Sequence, residues 1–349
     1  MPTDFDLSCP APLAGHDRIQ LAHGGGGRLT RNLVENLFVP AFENPALAMR
    51  HDSAVLMLGG ARLAFTTDAY VVHPRRFPGG DIGTLAIYGT VNDLAMAGAR
   101  PAGLAAAFVL EEGLAIDELR AVVASMRAAA AACGVALVTG DTKVVDRGKA
   151  DGMFVTTTGV GLVPAGVDVR PGRVRPGDAV LLSGDVGRHG IAVLSVREGL
   201  AFESPIESDC APLAGMVGAL VDAGVDVHCL RDATRGGLAT VLNEIALDAG
   251  VSLEVDEAAI PVSEAVAAAC EILGLDPLYV ACEGRMVAFV AEADAARTLD
   301  LLRSHPSGGQ SMRIGTVGSA ARGVVALRTR VGTRRLLDLL SGEQLPRIC

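Results

Sequence analysis

FTTDAYVVHPRRFPGGDIGTLAIYGTVNDLAMAGARP, residues 65–101, is the stretch from which the fold can be read. Leu63, Ala64 and Phe65 form an apolar run that delivers Thr66, Thr67 and Asp68 at its end, the pattern of a strand reaching a loop. A Pro/Gly-rich crossing follows. From about Ile82 the chain reads as helix until Gly98 and Pro101 break it. Asp93 sits in that helix ahead of Leu94-Ala95-Met96-Ala97, and a carboxylate among apolar side chains is costly to bury without a cation or hydrogen-bond partner. Alone, Asp93 reads as a helix cap and Asp68 as a strand end. With Asp52 in HDSA and Asp141 in TGDTK, however, four aspartates fall where apolar elements give way to loops. Hard cations carried by polyphosphates take such oxygen ligands without sulfur or imidazole. The set points to a Mg-nucleotide site.

Outward from this stretch the chain alternates strands and helices. Upstream, His23-Gly24-Gly25-Gly26-Gly27-Arg28 precedes a helical repeat of Leu29, Leu33, Leu37 and Phe38. Four glycines in a row read either as a flexible linker or as a loop whose amides cover a phosphate at a helix start. No Gly-Lys-Ser/Thr closes it, so it is not a Walker loop. Residues 50–70 read as two strands about the Gly59-Gly60 turn. Downstream, a strand from Gly103 to Leu110 and a helix from Asp117 to Ala132 come first. A strand from Val135 to Thr139 then ends in Gly140-Asp141-Thr142-Lys143, and a further strand runs from Phe154 to Val163. Turn signals at Pro164, Pro171 and Pro176 place a domain boundary near residue 170.

The second half opens with the strand Asp178–Ser183 and a glycine-marked turn, residues 184–190. RDATRGG, residues 231–237, runs into the helix Ala239–Ala249 with Asp232 or Thr234 as N-cap. Glu283 lies between Leu278-Tyr279-Val280 and the strand Met286–Val290, where an ordinary turn carboxylate is the default reading. Thr333–Leu340 reads as a short amphipathic piece. Beyond Gly342 the tail EQLPRIC is extended by Pro346 and ends in Cys349.

Composition bounds the function. A chain of 349 residues predicts two domains. Half the residues are hydrophobic, yet no uncharged apolar run reaches the roughly 18 residues a membrane span needs. A net charge of -10 and a pI near 5.2 argue against nucleic acid and anionic membranes as partners. Seven cysteines without a C-x-x-C pair fit neither a zinc ribbon nor a disulfide scaffold, and no signal peptide is seen, so a cytoplasmic protein is expected. Two lysines, Lys143 and Lys149, stand against 28 arginines, which singles out Lys143 beside Asp141.

Six blocks carry a family likeness: HGGGG (23–27), TTDAYVVHP (66–74), NDLAMAGARP (92–101), GDTKVV (140–145), RDATRGGLATVLNE (231–244) and the terminal PRIC (346–349). Together they resemble the HypE family of NiFe-hydrogenase maturation factors, carbamoyl dehydratases within the aminoimidazole ribonucleotide synthetase-like superfamily. The likeness spans about residues 18–349. Ala233 stands where relatives often carry Pro, and Cys282 where they often carry Asn.

The resemblance implies a two-domain α/β (α+β) fold. Residues 1–15 would be a mobile N-terminus, 16–170 an ATP-binding domain whose sheet forms a homodimer interface, 171–332 a C-terminal α/β domain, and 333–349 a flexible tail. It implies that Cys349 receives a carbamoyl group from a carbamoyltransferase maturation protein. ATP-dependent dehydration to a thiocyanate follows, and the cyano group passes to iron on a hydrogenase maturation scaffold complex. Asp52, Asp68, Asp93 and Asp141 would hold Mg2+. His23, Gly24, Gly25, Gly26 and Gly27, with Thr234, Gly236 and Gly237, would surround the phosphates, and Thr67 and Asn92 would lie beside the nucleotide. Lys143 and Glu283 would remove the N–H protons. Selenophosphate synthetases share the fold but are expected to carry a reactive cysteine or selenocysteine in the glycine loop, where this chain has none. A nucleotide-sensing assembly scaffold without turnover is the alternative from another class, separated by ATP consumption that depends on a carbamoyl donor and on Cys349.

Overall fold

The central helix begins where Asp81 caps it: its carboxylate accepts the Thr84 backbone N–H at 2.9 Å while the Thr84 hydroxyl accepts the Asp81 N–H. Such a reciprocal cap stabilises a helix start by about 1 kcal/mol. The helix ends before Gly98, whose φ of +69° breaks the helical path. The computed structural model describes residues 18–340 except 201, 203, 204 and 321. The expected mobile N-terminus and the PRIC tail with Cys349 lie outside these residues.

In chain order the first part holds α1 (Arg28–Leu33), a π-helical turn (Val34–Phe38), α2 (Val39–Ala41), β1 (Ala54–Leu58) and β2 (Ala61–Tyr70). The short hairpin β3 (Arg76–Phe77) and β4 (Gly80–Asp81) comes next. The central helix α3 (Ile82–Met96), β5 (Arg100–Glu111), α4 (Ile116–Ala132), β6 (Leu137–Val145) and β7 (Met153–Leu162) follow. The helix expected over Leu29–Phe38 is thus interrupted. Pro40 lacks an N–H and its ring crowds the carbonyl four residues back, so the preceding turn widens. The five strands lie in the order β1-β2-β7-β5-β6, antiparallel except β5 with β6, which α4 joins as a crossover.

One correction concerns β6. The strand does not end at Thr139 but carries Gly140, Asp141, Thr142 and Lys143 within it, paired to Ala106, Ala107, Phe108 and Val109. Pairing continues because Gly140 has no Cβ: one built there would lie 2.3 Å from the Ala106 carbonyl oxygen.

Alternation gives this sheet two different faces. Val155, Thr157, Ala64 and Ala106 turn inward, and Val155 and Ala106 join Ile82, Leu85 and Val91 of α3 and Val122 and Met126 of α4 in one apolar cluster. The opposite face carries Leu56, Leu58, Phe65, Val160 and Leu162, all exposed. Asp141 and Lys143 share that face by register.

The second part holds β8 (Ala179–Leu182), α5 (Arg188–Arg197), α6 (Ala214–Asp222), β9 (Val227–Asp232), α7 (Gly237–Ala249), β10 (Ser252–Asp256) and α8 (Glu264–Leu273). It closes with β11 (Met286–Val290), α9 (Ala295–Ser304), β12 (Met312–Gly318), β13 (Val324–Arg328) and β14 (Arg334–Leu337), in the sheet order β14-β13-β10-β12-β8-β11-β9. The segment expected as an amphipathic piece over Thr333–Leu340 is an edge strand, with Leu337 opposite Val325. β8 and β11 are buried throughout, with α7 packed on one face and α6 and α9 on the other. Ala95 and Met96 of α3 enter the second of these clusters, so one helix ties the two sheets together.

Candidate active site

Where the two sheets meet, α3 brings Asp93 towards the ends of β2 and β9. The cavity there has a volume of about 290 Å³. Its lining includes Asp52, Thr67, Asp68, Asp93, Asp232, Thr234, Glu283 and Gly26, from elements more than 200 residues apart. Asp52, Asp93 and Asp232 each offer a carboxylate oxygen, and these atoms lie within 4.8 Å of one another. The Thr66 hydroxyl sits 2.8 Å from Asp93 Oδ2 and 2.9 Å from the Asp52 carbonyl, and the Ser53 hydroxyl donates to the Asp93 carbonyl at 2.8 Å. Asp93 also lies in the last turn of α3, where the helix dipole disfavours a negative charge. Local structure therefore works against an anion at this position.

The charge balance follows from these positions. Burial and then the neighbouring carboxylates of Asp68, Asp232 and Asp52 push Asp93 well above the usual carboxylate range. Burial and Asp52 do the same to Asp232. Burial also presses Asp52 upward, but Arg231 and His51 beside it outweigh this and hold it below its ordinary value. Asp52 Oδ2 is buried without a hydrogen-bond partner. An orphaned carboxylate oxygen within an all-oxygen cluster fits a hard divalent cation, so Asp52, Asp93 and Asp232 are the residues that would hold Mg2+.

Tyr70, at the end of β2, donates its hydroxyl to Asp68 Oδ2 at 3.0 Å, and Gly89 leaves room for it: a Cβ there would lie 2.2 Å from that oxygen. Glu283 is buried in the same cavity. Its N–H donates to Asp209 Oδ1 at 3.1 Å, and Asp209 is itself near Arg285, 3.8 Å away.

The glycine loop is placed by packing. Gly26 has a φ of +79° and abuts Arg235, while Gly27 lies against Leu340, whose carbonyl accepts the Arg28 N–H at 3.0 Å. Gly26 reaches the cavity; His23, Gly24, Gly25 and Gly27 are not among its lining residues. The cap expected for α7 is corrected: Gly236, with φ of +74°, is the N-cap, and Asp232 is the last residue of β9. Gly236 and Gly237 are both needed: a Cβ on Gly236 would lie 2.1 Å from Thr240 Oγ1, and one on Gly237 2.7 Å from the Leu278 and Val280 carbonyls. Asn92 is not among the residues lining the cavity. Its amide donates to the carbonyls of Ala211 at 3.1 Å and Glu283 at 3.4 Å, and its oxygen accepts the Leu213 N–H at 2.7 Å.

Asp141 and Lys143 are not brought to this cavity within the chain. They lie exposed on β6, 3.3 Å apart, with the Asp141 carboxyl held low by the Thr142 N–H and then by Lys143. Three contributors escaped the sequence reading. Asp232 follows an apolar strand just as Asp68 does, which was the available signal. Arg231 and Glu244 gave none, since each reads as a polar residue within a regular element.

Comparison with known proteins follows the same division. The family described as AIR synthase related protein, N-terminal domain, matches residues 50–163, and its C-terminal domain counterpart matches 175–328. The carbamoyl dehydratase HypE of Cupriavidus necator is 54% identical over 333 residues, 95% of each chain. That of Escherichia coli K12 is 47% identical over 338 residues, 95% of this chain and 100% of its own. Among solved structures, hydrogenase maturation protein HypE in complex with ATP aligns with a TM-score of 0.81 at 50% identity, covering 94% of this chain and 98% of that one. A HypE-HypF complex aligns with a TM-score of 0.84 at 44% identity, covering 88% and 99%.

Proposed function

Because the chain belongs to the carbamoyl dehydratase HypE family of hydrogenase maturation enzymes, we propose that its reaction is the ATP-dependent conversion of an S-carbamoyl group on its own Cys349 to a thiocyanate. The cyano group is then delivered to hydrogenase iron. The observation that carries this reading is the acidic cavity itself, lined by Glu283 and three clustered aspartates, in a chain whose relatives are carbamoyl dehydratases. A HypF-like carbamoyltransferase is the proposed donor, supported by the solved HypE-HypF complex. The scaffold that receives the cyano group and the cytoplasmic setting belong to the same proposal.

The chemistry assigns work to named groups. An amide oxygen leaves poorly, so the carbamoyl oxygen takes the γ-phosphoryl group of ATP and ADP departs. The C–O bond then breaks with its electron pair on phosphate, and both N–H protons leave as C≡N forms. Glu283 and Lys143 are the proposed acceptors of those protons. Mg2+, when bound by Asp52, Asp93 and Asp232, with Asp68 beside them, would neutralise charge on the phosphates. Gly26, Thr67 and Thr234 line the same cavity and would lie beside the phosphates. ATP consumption that requires both a carbamoyl donor and Cys349 tests this reading, and donor-independent consumption would count against it.

The proposal includes a homodimer through the first sheet. Its outer face exposes Leu56, Leu58, Phe65, Val160 and Leu162 beside small residues such as Ala105, Ala107 and Thr156, and the edge strand β6 is exposed along nearly its whole length. Exposed apolar faces and edges of this kind call for a covering partner. A second copy packed on this face about a two-fold axis would carry Asp141 and Lys143 into the interface, and the proposal sets them beside the cavity of the other protomer. Phe65→Glu is therefore expected to convert the dimer to a monomer in sedimentation, since the charge would be buried in the interface. An unchanged mass would exclude this face.

Gly26→Ala is the test of the glycine loop. The substituted residue would keep a left-handed φ and press on Arg235, about 1–2 kcal/mol of strain in the conformation that faces the cavity. ATP binding is expected to weaken about tenfold, with the unfolding midpoint little changed. Equal affinity in a calorimetric titration would remove the loop from the nucleotide site.

A further inference from the structure

We propose that Arg231 is a resident counter-cation of the acidic cavity, holding Asp52 in place and sharing with a divalent metal the task of neutralising the cluster. The proposal rests on the reading of this cavity as a metal–nucleotide site. Asp52, Asp68, Asp93, Asp232 and Glu244 all line it, and Arg231 and Arg235 are the basic residues among the lining.

All three nitrogens of the Arg231 guanidinium have a protein partner. Nε lies 2.8 Å from Asp52 Oδ1, one Nη is 2.8 Å from Glu244 Oε2, and the other donates to the Arg50 carbonyl at 3.1 Å. Its side chain is only 17% exposed. An arginine locked by three partners is not poised to reach an incoming phosphate. It fixes the carboxylates around it instead, because a planar fork holds its donors in set directions, whereas the donors of an ammonium rotate and fix no orientation.

The geometry separates the two oxygens of Asp52. Oδ1 is turned to Arg231, while the buried Oδ2 closes no hydrogen bond and has the His51 Nδ1 3.5 Å away. Arg231 thus orients the carboxylate so that its second oxygen stays available to the cluster. It is a positioning residue, but its charge also opposes cation entry, and for metal affinity in the absence of nucleotide that repulsion outweighs the gain from orienting Asp52. Without that charge, Asp52 and Glu244 would lose their partner, and a divalent ion would be the remaining means of compensating them.

The test uses full-length protein without nucleotide, with Mn2+ as the probe. Free Mn2+ is read by electron paramagnetic resonance and stability by thermal unfolding. Arg231→Gln is expected to lower the metal-free unfolding midpoint, to recover most of that loss on adding Mn2+, and to bind Mn2+ about tenfold more tightly than wild type. Arg231→Lys, which keeps the charge but not the set donor directions, is expected to bind Mn2+ within about threefold of wild type. If Arg231→Gln folds only when Mn2+ is present, the proposal stands. It is overturned if Mn2+ fails to restore the variant's stability, if the variant cannot be folded even with Mn2+, or if its Mn2+ affinity equals or falls below that of wild type. Wild-type protein that takes up no Mn2+ even with ATP would overturn the metal reading itself, and this proposal with it.

Discussion

Asp93→Asn is expected to abolish Mg-dependent ATP use, by about a thousandfold or more, while leaving the fold intact. The side chains are isosteric, and the amide can keep the 2.8 Å contact to the Thr66 hydroxyl. What disappears is the negative charge that a metal would need. The same substitution should raise stability in the metal-free protein. Asp93 has its carboxyl pushed up in the folded state, by burial and then by Asp68, Asp232 and Asp52. For a carboxyl with a raised folded-state pKa, the penalty is absent below the unfolded value and grows as pH rises towards the folded one. Asparagine carries no such penalty. The variant's unfolding midpoint should therefore exceed that of wild type at neutral pH without metal, with the gap closing in acid. An Asp93→Asn protein hydrolysing ATP at the wild-type rate would remove Asp93 from the metal site.

The second large effect concerns the two proposed proton acceptors, which lie on opposite sides of a protomer boundary if the sheets pair. Lys143→Ala and Glu283→Gln should each lower dehydration by a factor of about 100 to 10,000. Mixed after unfolding and reassembly, they should regain activity. Random pairing makes half the dimers mixed, and each mixed dimer holds one cavity with both groups intact, so about a quarter of wild-type turnover is expected. Mixed dimers, verified by mass, that stay as inactive as either parent would contradict a shared cavity. Lys143 would then have to act elsewhere, or the groups would act within one chain.

The sequence revealed elements better than their encounters. The α3 helix was legible because its limits are local: Asp81 caps it and Gly98 ends it. Asp52, Asp68, Asp93 and Asp141 were read as a set because carboxylates at apolar boundaries are costly without a purpose; the first three line one cavity, while Asp141 lies exposed on β6. Asp232 followed the same pattern, but it was read, with Thr234, as a candidate helix cap, and the cap proved to be Gly236. Glu244 was hidden because an acid on α7 looks like any solvated helix position. What points it at Arg231 is the packing of α7 on the second sheet.

The glycine run shows the same limit at longer range. HGGGG was legible as either a flexible linker or a loop covering a phosphate, and nothing local showed that Gly26 packs against Arg235 and Gly27 against Leu340, more than 200 residues further along. The reading of GDTK as a loop failed for a related reason. A glycine usually interrupts a strand, but Gly140 allows β6 to continue beneath Ala106, and only the pairing partner decides which occurs.

The central claim is that Cys349 is the substrate and the acidic cavity the machine that acts on it. The most direct measurement is mass spectrometry of the C-terminal peptide after full-length protein is incubated with a carbamoyl-loaded donor, first without and then with Mg-ATP. The account predicts a carbamoyl adduct on Cys349 without ATP, converted on adding ATP to a species lighter by one water. Asp93→Asn should stop at the first adduct, and Cys349→Ala should form neither. A cyano adduct appearing without ATP, or ATP turnover with donor that leaves the Cys349 peptide unmodified, would contradict it.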